Sequence, residues 1–449
     1  MKNLKIGNKN WFAAVLSIIP LFVAQLTYSQ TFDSKNKETS RPAFEGYIVK
    51  YKSHPERNIF SALSIKKNKI ISTSFGEFSI LKNTENLSEE NIKRIQSNPA
   101  VEYIEPNYIY QALENADQGT ERTLPPEIKD ANFKSQWGLN NTGTNNWFNL
   151  AAGIDLNAVN AWKLHSGSHQ IKIAVVDSGM DYNHPDLKEN VWTNEKELHG
   201  QAGVDDDQNG YVDDIHGYDF SNNDGDPMDD LGHGSQVAGL IGAAHNDIGI
   251  RGVMGSVQIM PIKFLSKGGG STENGLKGIE YAIKNGAQII NLSWGGGEPS
   301  QALSDAILAA AAKNILVVAA AGNSKEDNDV KPLYPASYGH PNIISVASLS
   351  PNNKKSSFTN FGKNKVHVYA PGLYIVSTGL ENSYDWTSGT SLSAPMVAGA
   401  AGLALSKNPK LTAVQVKEKI IQTSTQDPEL LKFAQGGRVD LYELLKSIQ

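Results

Sequence analysis

Ile171-Lys172-Ile173-Ala174-Val175-Val176-Asp177-Ser178-Gly179 is the stretch on which the fold turns. Its first six residues form a nearly unbroken apolar run, too short for a helix and rich in β-branched side chains. Such a run predicts a strand buried on both faces, the kind found in parallel sheets. An aspartate and a glycine turn end it. A carboxylate at the end of a buried strand is costly unless its charge is paired or used, which makes Asp177 a candidate site residue.

Working outward, similar runs recur at Ile259–Phe264, Gln288–Leu292, Ile315–Ala320 and Ile343–Ala347. Helical patterns lie between them, at Gly234–Ala244, Glu273–Asn285 and Gln301–Lys313. Strands alternating with helices predict an α/β fold, a mostly parallel sheet with helices on both faces. Thr390–Leu405 is apolar and rich in small residues and reads as a buried helix. Thr412-Ala413-Val414-Gln415 opens a further helix with a capping-box pattern. This region is taken as residues 133–449.

The N-terminal third reads differently. Residues 43–111 form a small α+β unit. Tyr47–Tyr51 reads as a strand, Ile59–Ser64 as a helix start and Ile70–Leu81 as two strands. Ser88–Ser97 is a helix with a serine cap and acids in its first turn. Val101–Pro106 reads as a strand ended by its proline. Residues 112–132 are polar, carry adjacent prolines and read as an exposed linker. Before all of this, Lys2, Lys5 and Lys9 precede the uncharged apolar stretch Trp11–Leu26, and Thr27-Tyr28-Ser29 supplies small residues. That pattern predicts a signal peptide over residues 1–29 and a secreted protein; the alternative is an uncleaved membrane anchor. No later segment is apolar enough to span a membrane.

The composition adds exclusions. The chain of 449 residues contains no cysteine, which rules out disulfides and thiol chemistry. A net charge of -6 argues against a nucleic-acid partner. No organic cofactor is expected, and a monomer is the default.

Three segments set a polar residue where a buried element meets a glycine turn: Asp177-Ser178-Gly179, Gly232-His233-Gly234-Ser235, and Ser388-Gly389-Thr390-Ser391-Leu392-Ser393-Ala394-Pro395. A serine hydroxyl is a weak nucleophile. It needs a histidine to take its proton and a carboxylate to orient that histidine. It also needs donors aimed at the developing oxyanion. A serine at a helix start offers its own N–H, and Asn323 in Ala320-Ala321-Gly322-Asn323 offers a side-chain amide. Taken singly, each of these residues is more simply a cap, an ion pair or a turn; their joint occurrence and their order carry the reading.

With His184-Pro185-Asp186-Leu187 added, these motifs resemble the subtilisin-like serine proteases over about Trp137–Leu445, in the chain order Asp, His, Ser. The resemblance implies a serine endopeptidase acting on polypeptides, with Ser391 as nucleophile, His233 as general base and Asp177 as its partner. Asn323 and the Ser391 N–H would form the oxyanion hole. Ser293-Trp294-Gly295 and Gly322 would line the substrate pocket. Residues 43–111 resemble the family's ferredoxin-like propeptide, an intramolecular inhibitor removed on maturation; an unrelated accessory domain is the alternative. Gln236, Ser178 and Met396 depart from the usual pattern, at positions that transfer no proton. A catalytically inactive binding protein and a serine esterase are the rival functions.

Two calcium sites are expected. Asp205-Asp206-Asp207-Gln208-Asn209-Gly210 resembles the start of a Ca²⁺ loop, with Asp205, Asp207, Asn209, the Tyr211 carbonyl and Asp213 or Asp214 as ligands. His216 stands where an EF-hand would have its glutamate, so the loop is not an EF-hand, and a solvated acidic turn is the alternative. The family resemblance implies a second, weaker site at Asp186 and the loop 244–250, using Asn246 and the carbonyls of Ala244, Ile248 and Ile250. Asp224, Asp226, Asp229 and Asp230 would shape an acidic rim or hold another ion.

Overall fold

Seven parallel strands form the central sheet of the computed structural model, in the spatial order Val368–Pro371, Ile343–Leu349, Leu316–Ala320, Ile289–Leu292, Gly167–Asp177, Ser256–Lys263, Tyr218–Asp219. Residues 43–52, 69–82, 87–113, 133–143 and 152–448 are described; residues 1–29, read as a signal peptide, residues 59–64, read as a helix start, and residues 114–132 lie outside them.

The deciding strand shows why its apolar run is unbroken. Ile173 and Val175 point into one hydrophobic core, Ala174 and Val176 into the other, and all four are fully buried. On the first face lie the helices His233–Gly242, Thr390–Lys407, Ala413–Thr423 and Leu441–Lys446; on the second lie Thr272–Lys284 and Gln301–Ala312. Period-two alternation on a sheet covered on both sides thus leaves no polar face. The α/β, mostly parallel architecture is the one expected from the sequence.

The Thr412 capping box is present in full, Thr412 Oγ1 accepting from Gln415 N and Gln415 Oε1 accepting the Thr412 N–H. Within Thr390–Lys407, Pro395 has no N–H to give the Ser391 carbonyl four residues back. The Ser293 hydroxyl donates to that carbonyl instead, at 2.9 Å.

The N-terminal unit is an antiparallel sheet, Phe44–Tyr51 pairing with both Gly76–Leu81 and Val101–Ala112, and Lys69–Thr73 on the outside. Ser88 caps the helix Glu89–Gln96. Here the structure corrects one expectation. Pro106 does not end its strand, which runs on to Ala112. Pro106 sits opposite Tyr47, next to a register shift, so the N–H that proline lacks is not demanded by the ladder. The extra residues carry this strand out of its own unit. Ile109 and Tyr110 pair with Ser271 and Gly270, and Gln111 and Ala112 pair with Gly295 and Trp294.

Candidate active site

Asp177 lies at the end of its strand, in the middle of the sheet, fully buried. His233 opens its helix after Gly232, whose φ of 89° is a conformation suited to glycine. The His233 Nδ1 and Asp177 Oδ1 are 2.7 Å apart, both side chains out of solvent. Asp177 Oδ1 also accepts the Ser178 N–H at 2.8 Å. A charge-assisted bond of this length in a dry setting fixes the ring orientation and leaves Nε2 as the nitrogen for proton transfer. The close approach of helix to turn requires small residues: a Cβ on Gly234 would lie 2.0 Å from the Gly179 carbonyl oxygen.

Ser391 is the second residue of Thr390–Lys407, which packs against the His233 helix. Its N–H is one of the helix's leading donors, left without an intrahelical partner. Asn323 follows Gly322, whose φ is 115°. Asn323 Oδ1 accepts both the Thr390 N–H and the Thr390 hydroxyl, each at 2.9 Å. Its amide Nδ2 is thereby aimed outward, where it donates to the Leu113 carbonyl oxygen at 2.6 Å. Thr390 Oγ1 in turn accepts the Gly322 N–H at 3.1 Å. The structure therefore brings a carboxylate, an imidazole, a helix-start serine and an amide donor to one end of the sheet. In the same place it sets a peptide carbonyl of the chain itself.

The residues expected to line the pocket lie against that peptide. Ser293 O accepts the Leu113 N–H at 3.2 Å, and Trp294 and Gly295 continue the pairing. The Trp294 side chain is fully buried, its indole N–H donating to the Val176 carbonyl at 2.8 Å. It forms the floor beneath Tyr110, with ring centroids 5.0 Å apart.

Two contributors escaped sequence reasoning. Thr390 orients Asn323, and only its place one residue before Ser391 hinted at this. Asp229, expected to shape an acidic rim or hold another ion, is 5% exposed. Its Oδ1 accepts from Ser178 Oγ, Leu231 N and Gly232 N, and its Oδ2 from Ser235 N and Oγ. It ties the Asp177 turn to the His233 helix. Asp226 accepts the Tyr182 hydroxyl, Asp224 caps the Asp226 N–H, and Asp230 pairs with Lys263.

In the acidic loop, Asp207 and Asp214 come together with Glu197, their carboxylate oxygens within 4.8 Å of one another. Glu197 belongs to the short helix Glu195–Leu198. Burial pushes Asp214 up to about 6, against hydrogen bonds from Tyr281, Asn209 and Asn194. The other expected ligands turn to their own loop: Asp205 accepts from Asn209 N and Gly210 N, and Asp213 accepts from Gly203 N. Asn209 Oδ1 accepts the Tyr211 N–H. At the second candidate site Asp186 lies against the loop 244–250, its Oδ2 accepting from Ile250 N and Tyr384 Oη, both at 2.9 Å. Its backbone carbonyl accepts the Ala244 N–H, while Asn246 Oδ1 accepts the Ile248 N–H.

A buried Asp–His pair, a helix-start serine and an amide donor on a seven-stranded parallel sheet are the groups that an Asp-His-Ser hydrolase needs. The comparisons narrow it: residues 168–437 match the subtilase family (Peptidase_S8). The chain is 35% identical over 382 residues to "Subtilisin-like protease 1" of Plasmodium berghei (strain Anka), covering 80% of this chain and 61% of that protein. It is 37% identical to the protein of that name from Plasmodium vivax, covering 65% of this chain and 50% of that one. It is also 33% identical to "Thermophilic serine proteinase" of Bacillus sp. (strain AK1), covering 78% of this chain and 74% of that one. Fervidolysin from Fervidobacterium pennivorans, a keratinolytic enzyme related to subtilisin, shares the fold, with a TM-score of 0.68 and 22% identity over 92% of this chain and 62% of that one. The chain belongs to the subtilase family. It spans about half to three-fifths of the two Plasmodium relatives. Among the described residues no helix is long and apolar enough to cross a membrane.

Proposed function

We propose that this chain is a secreted serine endopeptidase made as a self-inhibited zymogen. Ser391 attacks the substrate carbonyl, and His233 takes its proton and returns it to the leaving amine. Asp177 holds the imidazole in place, and Asn323 Nδ2 with the Ser391 N–H stabilises the oxyanion. Residues 43–113 serve as the propeptide and intramolecular inhibitor. Secretion rests on the N-terminal sequence pattern alone.

The observation that carries this reading is the bond from Asn323 Nδ2 to the Leu113 carbonyl oxygen, 2.6 Å long. The amide meant for an oxyanion is engaged with a peptide carbonyl of the N-terminal unit, and that peptide is strand-paired to Trp294 and Gly295. A polypeptide bound by main-chain pairing favours peptides over small esters as substrate. The docking has its own anchors. Glu105 accepts from Ser300 Oγ, Gln301 N and Ala302 N at the start of the helix Gln301–Ala312, and Lys50 and Tyr103 both reach Asp305.

The Glu197, Asp207 and Asp214 oxygens suit a hard cation, and we propose Ca²⁺ there as a structural ion. Its role would be to offset repulsion between carboxylates held close together. The experiment on function compares casein digestion by the secreted wild type and by Ser391→Ala. Digestion and loss of the N-terminal unit in the wild type alone support an autoprocessed endopeptidase. A folded wild type that digests nothing returns the chain to a binding role.

A further inference from the structure

The strands Ile343–Leu349 and Val368–Pro371 run parallel to the rest of the sheet. The residues just before them, 340–342 and 364–367, therefore lie at the end of the sheet opposite Asp177 and Asn323. A cavity of about 270 Å³ opens there, lined by His340, Lys365, His367 and Lys417, with Asn364 and Gln435 beside them. Lys417 comes from the helix Ala413–Thr423 on one face of the sheet. His340 Nε2 is bonded to Ser304 Oγ of the helix Gln301–Ala312 on the other face, at 2.8 Å. The cavity thus touches both helical layers and the starts of two strands.

Among the described residues that line it there is no carboxylate. His367 is only 7% exposed. Its Nδ1 accepts the Ser345 N–H at 2.9 Å, so the proton of the neutral ring sits on Nε2, which has no partner among the described residues. Lys365 and Lys417 make no ion pair and no side-chain hydrogen bond among the described residues. The nearby acids are committed elsewhere or face water. Asp305 accepts from Lys50, Tyr103 and Gln301, Asp329 accepts the Asn364 and Lys365 N–H groups, and Glu418, beside Lys417, is exposed. Burial pushes Lys417 down to about 8 against the pull of Glu418. A partly buried cation with no counter-charge is costly, and here two of them face one histidine.

We propose that this cavity binds a small oxyanion of the phosphate class, held by the Lys365 and Lys417 ammonium groups and the His367 Nε2–H. Such an anion accepts hydrogen bonds at every oxygen and carries the charge that the lining lacks. Both inorganic phosphate and the terminal phosphate of a small monoester have this chemistry. Bound, the ion links the helix Ala413–Thr423 to the start of the strand Val368–Pro371. Its effect falls on stability, at the end of the sheet away from Ser391.

The test uses the full-length Ser391→Ala chain, to exclude self-digestion, alone and with Lys417→Met or Lys365→Gln added. Inorganic phosphate and glycerol phosphate are titrated by calorimetry at constant ionic strength. The parent should bind saturably with a Kd of about 1 mM or tighter, and each lysine variant at least about tenfold more weakly. About 10 mM phosphate should raise the melting temperature of the parent by about 2 °C or more, and of either variant by less than about 1 °C. Calcium drawn off by phosphate is drawn off all three chains alike, so the difference between them reads the cavity. Without phosphate, Lys417→Met should melt no lower than its parent, because it removes an unpaired charge and keeps an apolar stem. Tighter binding of glycerol phosphate assigns the site to a phosphorylated small molecule, and equal or weaker binding assigns it to the free ion. The proposal is overturned if neither anion binds saturably, or if phosphate shifts all three chains equally, as a general salt effect does. It is also overturned if Lys417→Met melts well below its parent without phosphate, since the ammonium then has a partner within the protein.

Discussion

At the scale of single residues, the two ends of the Asn323 amide do different things. Oδ1 is held by Thr390, so that Nδ2 is free to serve the carbonyl in the cleft. Asn323→Ala should lower kcat by about 10²–10³ with little change in KM, the loss known for subtilisin itself when its oxyanion asparagine is removed. Thr390→Val removes one of the two bonds that aim the amide. It should lower kcat by about fivefold, since one neutral hydrogen bond contributes roughly 1 kcal/mol, and KM should stay near the wild-type value. Steady-state kinetics on one peptide amide checks both. The places of Asp177, His233, Asn323 and Ser391 beside glycine turns, where buried runs break, were legible in the sequence; the roles proposed for them rest on the reading above. Thr390 and Asp229 were not legible. A threonine beside a serine reads as helix start, and an aspartate among four reads as surface, until the fold shows whose N–H groups they face.

At the scale of elements, the strands read well because a sheet buried on both faces demands unbroken apolar runs, and no such run could be mistaken for an amphipathic helix. The strand through Pro106 misled because proline ends a strand only where its N–H is needed. Glu197 was missed because it joins the acidic loop from a separate four-residue helix, with no spacing rule to link them. Two outcomes follow at this scale. In the Ser391→Ala background, excess chelator should lower the melting temperature by several degrees, as loss of an ion bound only to the folded state requires, and Glu197→Gln should blunt that response. The second concerns His367, which precedes the strand Val368–Pro371. Burial, with Lys417 and Lys365 nearby, pushes its pKa down to about 3, and its Nδ1 accepts the Ser345 N–H at 2.9 Å. A depressed histidine pKa means that the unfolded chain takes up the proton first. Stability is then full above about pH 6.5 and falls as pH drops toward 3. His367→Gln keeps an acceptor for Ser345 and removes the titration. Denaturant unfolding across that window should show a shallower decline in the variant.

At the scale of the whole molecule, the N-terminal unit's last strand pairs with Trp294 and Gly295, and the proposed inhibition rests on that pairing. The N-terminal unit is held by main-chain pairing in the cleft and by side-chain anchors on the helix Gln301–Ala312, of which Glu105 makes three bonds. Charge-assisted hydrogen bonds of that kind contribute about 1.5–3 kcal/mol. Added in trans to mature enzyme, a residue 43–113 fragment with Glu105→Ala should therefore inhibit roughly 10- to 100-fold more weakly than the unaltered fragment. The resemblance of residues 43–111 to a propeptide could be read in the sequence, but not where the unit's last strand goes. Pairing between residues 109–113 and residues 270–295 is a contact between distant segments, and no local pattern encodes it.

Fluorophosphonate labelling of the chain, wild type beside Ser391→Ala, after removal of residues 1–113, tests the role of Ser391 directly. The account predicts stoichiometric labelling of the wild type at Ser391 and none of the variant. A folded, propeptide-free wild type that resists the reagent would contradict it, because an assembled Asp177–His233–Ser391 site cannot leave its serine unreactive.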